Sequence, residues 1–589
     1  MASHFRWYGT DSDVTIPFNA RYSYPSQSNK TTITVPRITP KNQAVFSPGN
    51  PIRIEIPAQG YINPANTTLE FDVTLSYTTV ADDHSIIRFQ NNIQSIFSRL
   101  RIMYGSTPLE DIPEYGFLVR SLTEWTATGQ NGGPDQMSIA DGVGKKVWGT
   151  SGGYPNSNDD GILDSVRPLM VNTRQSQIQG ISLQRADLYA PDTDVKAYQN
   201  ANMGSGWGAI PFSANSSQAA LDGAGQTIEV TRRYQIQLHA GLFQQGKLLP
   251  VKYMASQLAI ELNLEPAANC IFWQKGLVSN DSGPYSTISA TPPTYSVSNV
   301  NFIPEILEFD TSYDESFLQG LASGGVPIKF SSWNHYTFAT PASSSMTFSI
   351  PERNRSIKSV FMMQQRDPKT IETDSGASFY SSNTTVLGNT LQEYQFRIGG
   401  RMFPASPVQC STQVGGDRTN GGAEAYVELA KALKTIGDYR LSVSVNSLSW
   451  AAPYGILPGG AQHANLENTS LLPEFDGKYS AVTTRLPEGT LILHESEASR
   501  KLTGTTDNKY KYAGRCAAGN LDSGCFAMAI DLETSNGLEI SGLNAEEQSD
   551  ISITMRWSAP QVQGFVFQAF TYYDAMIVLH ENNVLELIK

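Results

Sequence analysis

In the stretch TLEFDVTLSY, Leu69, Phe71, Val73, Leu75 and Tyr77 alternate without a break with Glu70, Asp72, Thr74 and Ser76. A repeat of two puts every apolar side chain on one face of a strand, whereas a helix would scatter them around its axis. The same alternation recurs at Ile52, Ile54 and Ile56, at Leu258, Ile260, Leu262 and Leu264, and at Met346, Phe348 and Ile350. Few stretches keep a helical period, and Gly and Pro punctuate the chain throughout. The expected fold class is all-β. The 589 residues leave room for two large β units, since such units commonly run to about 200–250 residues.

The order of signals repeats along the chain. In the first half the Ile52 strand leads through a turn around AQGYINPAN to TLEFDVTLSY, and then to a strand from Ile96 to Tyr104. Next comes LEDIPEYGFLVRSLTEW, whose Tyr115, Leu118, Val119, Leu122 and Trp125 fall at helical spacing. Asp111 and Glu114 suit a capping box there, and Pro113 suits a first turn. The helix is expected to pack on its own domain. The second half runs through SMTFSIPER, SIKSVFMMQQRD and EYQFRIGGRMFP to a single amphipathic helix, EAYVELAKALKTIG. Its Tyr426, Leu429, Ala430, Leu433 and Ile436 each stand 311 positions after their counterparts in the first helix. A duplicated domain follows from that order. Each helix is followed by a Gly-, Asn-, Ser- and Asp-rich excursion, residues 127–226 and 451–525, expected at the surface. The division read from these signals is an amino-terminal arm over 1–50, a first domain over 51–310 and a second over 311–589.

GLFQQGKLLP, Gly241 to Pro250, matches GxxxxGK, the start of a phosphate-binding loop. Such a loop continues with Ser or Thr for magnesium and a helix for the phosphates. Here Leu248 follows Lys247, and a strand pattern follows that. The histidines form no HExxH and no i, i+4 pair, no GxSxG elbow occurs, and Asp82–Asp83 and Asp159–Asp160 lie in polar loops. Cys270, Cys410, Cys516 and Cys525 are too irregularly spaced for a zinc module or a disulfide framework, so reduced thiols are expected. No catalytic, cofactor-binding or metal-binding residue is assigned, no cofactor is expected, and the chain reads as a non-enzyme. With 42 basic and 55 acidic residues the net charge is −13, which works against broad binding to polyanions. The amino terminus has no apolar core of signal-peptide length, and no run approaches the ~18 apolar residues of a membrane span. A secreted or surface carbohydrate-binding β-sandwich would be expected to carry a signal peptide. A β-scaffold glycoside hydrolase would need two carboxylates across a cleft.

NNIQSIFSRLRIMYGSTPLEDIPEYGFLVRSLTEW and GLFQQGKLLPVKYMASQLAIELNL resemble segments of double jelly-roll major capsid proteins. The likeness extends through RNRSIKSVFMMQQRD, YQFRIGGRMFPASPVQ, LETSNGLEISGLN and FQAFTYYDAMIVLHENNVLELI. In size and motif order the chain is similar to the capsid proteins of polinton-like viruses, adintoviruses and virophages, within the adenovirus hexon lineage. The resemblance implies two consecutive eight-stranded jelly rolls and a homotrimer forming a pseudo-hexagonal capsomer. It also implies an icosahedral shell around double-stranded DNA, with penton and minor or cement proteins as partners and no sequence-specific nucleic-acid binding. It makes Leu242, Phe243, Leu248 and Leu249 core residues and Gly246 a turn residue. The expected location is the virion, after synthesis and assembly inside the host cell and without secretion.

Overall fold

The computed structural model describes residues 31–78, 86–89, 93–126, 180–182, 227–274, 277–278, 286–287, 291–339, 343–366, 391–410, 422–436, 483–486, 489–492, 526–533, 541–546, 551–557, 565–580 and 585–589. The first half supplies β1 (Thr32–Thr34), β2 (Val45–Phe46), β3 (Ile52–Ile56), β4 (Tyr61–Thr78), β5 (Phe97–Tyr104) and β6 (Thr107–Pro113). After them come α1 (Tyr115–Thr126), β7 (Thr227–Ile236), the single turn α2 (Gly241–Gln244), β8 (Leu258–Leu264) and β9 (Thr294–Glu308). One antiparallel sheet has the order β1-β9-β4-β7, with β2 also on β9. Facing it is β3-β8-β5-β6. Taking β1 and β2 as one interrupted strand and counting along the chain, the two orders are 1-8-3-6 and 2-7-4-5. That interleaving is the jelly roll, a double sheet built from two Greek keys.

After the connecting helix α3 (Thr311–Ala322) the scheme is built again. The strands are β10 (Val326–Ala339), β11 (Ser345–Ile350), β12 (Ile357–Arg366), β13 (Leu391–Ile398) and β14 (Arg401–Gln409). Helix α4 (Ala423–Lys434) precedes β15 (Met528–Asp531), β16 (Ile551–Trp557), β17 (Phe565–Leu579) and β18 (Leu585–Ile588). The sheets are β10-β17-β12-β15, with β18 added to β17, and β11-β16-β13-β14. Both rolls therefore have one strand order, with a helix between the fifth and sixth strands of each. The hairpin joining the fourth and fifth strands turns on glycine both times, through Gly105 (φ 58°) and through Gly399 and Gly400 (φ 53° and 87°). These backbone conformations are open to glycine and costly for a residue with a Cβ.

Alternation fixes which face of each sheet looks inward. Ile52, Ile54 and Ile56 are all buried, as are Leu69, Phe71, Val73, Leu75 and Tyr77 on β4. Inside the first roll the Phe71 and Phe97 rings meet edge to face at 5.6 Å, bridging the two sheets. In the second, the tilted rings of Phe348 and Phe567 bridge the two sheets at 5.4 Å.

Four expectations are corrected. The turn read around AQGYINPAN ends at Gly60 (φ 55°), and β4 already runs from Tyr61. The arm read over 1–50 is too long: Thr32–Thr34 and Phe46 pair with β9, so the end of that segment is the first strand of the roll. Residues 1–30 lie outside the described ones. The capping box is absent, because Asp111 belongs to β6, where Arg99 Nε donates to its Oδ1 at 2.6 Å, and Glu114 takes φ 52° between strand and helix. Lastly, the second half contains α3 as well as α4. Helix α3 is held by an aromatic cluster: Tyr313 and Phe317 each meet Tyr61 edge to face at 5.7 Å, Phe317 stacks on Tyr253 at 4.9 Å, and Asp314 pairs with Lys252 at 2.5 Å, while Leu321 is buried.

Candidate functional site

The stretch that matched a phosphate loop lies between β7 and β8. Its one helical turn, α2, precedes Lys247 instead of following it. Beyond the lysine, Leu249 exchanges backbone hydrogen bonds of 2.8 Å with Ile62, which ties the loop to β4. Leu242, Phe243 and Leu249 are buried as expected. Leu248, expected in the core, is only half-buried. Gly246 lies in the bend with open space around it, and Lys247 is exposed. The segment is thus a structural clamp, and its leading end points at the other roll.

There Gly241 meets β10. A Cβ on Gly241 would stand 1.6 Å from the Ser331 carbonyl oxygen, so only glycine lets the two backbones approach this closely. Beside it is Glu110 of β6, fully buried. Its Oε1 accepts from Leu242 N at 2.6 Å, and its Oε2 accepts from Gly241 N and Ser332 Oγ, both at 2.9 Å. A buried carboxyl is costly to leave unpaired, and these three bonds offset part of that cost while joining β6, α2 and β10. Burial is the main reason its pKa is pushed up to about 7, against the lowering effect of the bonds.

Helix α1 forms the rest of the seam. Tyr115, Leu118, Val119, Leu122 and Trp125 are all buried. On its own roll α1 rests on the turn Ile93–Ile96 and on β5. The fit is close enough that a Cβ on Gly116 would lie 2.6 Å from the Ser95 carbonyl oxygen. Against the expectation that it packs only on its own domain, α1 also reaches the second roll. Phe117 stacks on Phe570 at 6.2 Å, and Trp125 stacks on Phe361 at 5.7 Å. Trp333, 5.7 Å from Phe361, extends this aromatic floor. Helix α4 follows the expectation, packing on β12, β14 and β15 of its own roll with Leu429 and Leu433 buried. Its Glu424, Val427 and Lys431 remain exposed.

The corresponding sheet face of the first roll has the opposite chemistry. On β4 the outward Asp72 accepts from Arg233 Nε at 2.7 Å and from Asn299 Nδ2 at 2.8 Å. The Arg233 hydrogen bond, ahead of Asn299, holds the Asp72 carboxyl below the usual range. Glu70 pairs with Arg37 at 3.2 Å. Thr231, Arg233, Gln235 and Asn299 are exposed on this face. It is polar and open where the second roll is aromatic and covered.

Among the described residues no group of three or more His, Cys, Asp or Glu side chains is placed to hold a metal ion. Cys270 and Cys410 are buried free thiols whose pKa burial raises, while Cys516 and Cys525 lie outside the described residues. Sequence reasoning passed over Glu110. Its parity with Ile112, two residues on and fully buried, was the available signal that it faces inward.

Two jelly rolls of one strand order, joined through a helix laid on a sheet, define a double jelly-roll protein. Over nearly its whole length the chain is similar to solved structures of that size. One is the Faustovirus major capsid protein, at 7% identity over 95% of this chain and 92% of that one, with a TM-score of 0.46. Another is the mavirus major capsid protein, at 9% identity over 100% and 94%, with a TM-score of 0.45. A third is the Sputnik virophage structure, at 11% identity over 97% and 91%, with a TM-score of 0.44. No protein-family model matches the chain. No curated protein matches it either.

Proposed function

We propose that the chain is a major capsid protein, the non-enzymatic subunit of a homotrimeric, pseudo-hexagonal capsomer in an icosahedral shell around double-stranded DNA. The observation that carries this reading is the seam. A helix of one roll lies on the outer sheet face of the next, so the contact joins unlike surfaces. A contact of unlike surfaces closes into a ring when the rotation between copies divides a full turn, and otherwise runs on as an open filament. With two rolls per chain, three chains supply six. The exposed side of α4 and the open polar face around Arg233 are the two unlike surfaces that the contact within the chain leaves over. The motif order of the sequence supports the same reading.

On this reading residues 1–30 form an arm beneath the shell, the first roll runs from residue 31 to 310, and the second occupies 311–589. The excursions 127–226 and 451–525 project at the outer face, and penton and minor or cement proteins complete the shell. The protein acts in the virion and is made inside the host cell. Native mass measurement of the purified protein tests the reading: a species near three times 64.4 kDa is expected, and a monomer at micromolar concentration overturns it.

A further inference from the structure

Among the described residues, Glu110 is a fully buried group whose side chain bonds elements of both rolls through neutral partners: two backbone amides and one hydroxyl. We infer that Glu110 is a proton-controlled clasp between the two rolls, firmest when its carboxyl is neutral and strained when the carboxyl ionises.

The geometry accommodates both states, at different cost. The amides of Gly241 and Leu242 can only donate, but the Ser332 hydroxyl can rotate and accept a proton-bearing oxygen. Protonation therefore keeps the clasp closed. Ionisation places a negative charge in a site that water does not reach. The titratable and charged groups around it come from every neighbouring element. Tyr115 of α1 and Tyr573 of β17 both feel its charge, which helps hold their hydroxyls un-ionised. Lys589 at the end of the chain is the cation that favours the charged form. Half-buried His239, whose backbone N donates to Tyr115 Oη at 2.9 Å, has its ring held below the usual imidazole range by burial. It is therefore neutral at neutral pH. On β6 itself Asp111 is paired with Arg99, and Glu114 follows the strand in the turn before α1.

The sign of the pH effect follows. The carboxyl of Glu110 has an ordinary value of 4.5 and is raised to about 7 in the folded chain. Its contribution to stability is present in full below 4.5 and is lost as pH rises through 7. A carboxylate paired with a cation, such as Asp72 with Arg233, behaves in the opposite way, losing its contribution as pH falls.

Hydrogen exchange of the full-length protein, corrected for intrinsic rates, tests this at residues 241–249 and 326–339. Between about pH 5.5 and 8.5 the wild-type protection is expected to fall by roughly one to two orders of magnitude. In Glu110→Gln it should stay level. Infrared difference spectra at pH 6 should contain a carboxylic-acid carbonyl band that the same variant lacks. If Glu110→Gln does not fold, the wild-type protein alone serves: the acid band should decline between about pH 6 and 8.5 with the same midpoint as the protection. Equal pH slopes in wild type and Glu110→Gln, the absence of the acid band, or an acid band that does not decline as the protection falls would each overturn the clasp.

Discussion

Gly241 and Gly246 stand five residues apart in one loop and are under opposite constraints. A methyl group on Gly241 would strike the Ser331 carbonyl oxygen at 1.6 Å, and backbone on both sides must move to admit it. Around Gly246 nothing lies within 4 Å. Gly241→Ala is therefore expected to destabilise the chain by about 3 kcal/mol or more, through overpacking at a seam with no flexible neighbour to yield. Gly246→Ala should stay within about 0.5 kcal/mol of wild type. Chemical denaturation midpoints of the two variants, measured side by side, check both outcomes. Equal midpoints would mean that the rolls do not approach at Gly241 as described. The GxxxxGK match owes Gly241 to backbone geometry, whereas Gly246 and Lys247 owe their places in the motif to coincidence.

The two helices began as matching sequence signals and have become different structural elements. Their apolar residues share one spacing, and both helices connect the fifth and sixth strands of a roll. Yet α1 is covered on both sides, whereas α4 keeps one side exposed. Trp125→Ala removes a large buried ring from its stack on Phe361. It is expected to cost about 3–5 kcal/mol. Val427→Ala on the exposed side of α4 should change the melting of an isolated chain very little. Calorimetry of the two variants at a concentration too low for association separates these cases. A Trp125→Ala protein that melts like wild type would refute the stacking of α1 on the second roll. Spacing reveals that a helix has an apolar face; it does not reveal how many surfaces will cover it.

At the scale of the whole molecule, the seam makes one body of two rolls, and the proposed trimer repeats the same kind of contact between chains. The described part of the first roll begins at β1, so truncation before it leaves every described strand in place. Deleting residues 2–20 is expected to give trimers with unchanged melting and fewer closed particles. Differential scanning calorimetry and particle counts by electron microscopy read the two effects. Failure to form trimers would put the segment inside the capsomer, and undiminished particle yield would deny it a part in assembly.

Strand identity was legible from the sequence because alternation over residues such as Leu69 to Tyr77 records directly which side of a strand leaves water. The repeated order of strand, glycine hairpin and helix made the duplication legible for the same local reason, and the resemblance to double jelly-roll capsid proteins supplied the architecture. Tertiary structure alone decided what covers each face. Thr32–Thr34 is a strand because β9 offers it an edge, not because of a pattern of its own. Glu110 meets Ser332 across 222 positions of chain. Trp125 finds Phe361 in the other roll. An apolar or buried position is specified locally by the period of its own element, but its partner comes from a distant part of the chain. That choice is made only when the rolls close on one another.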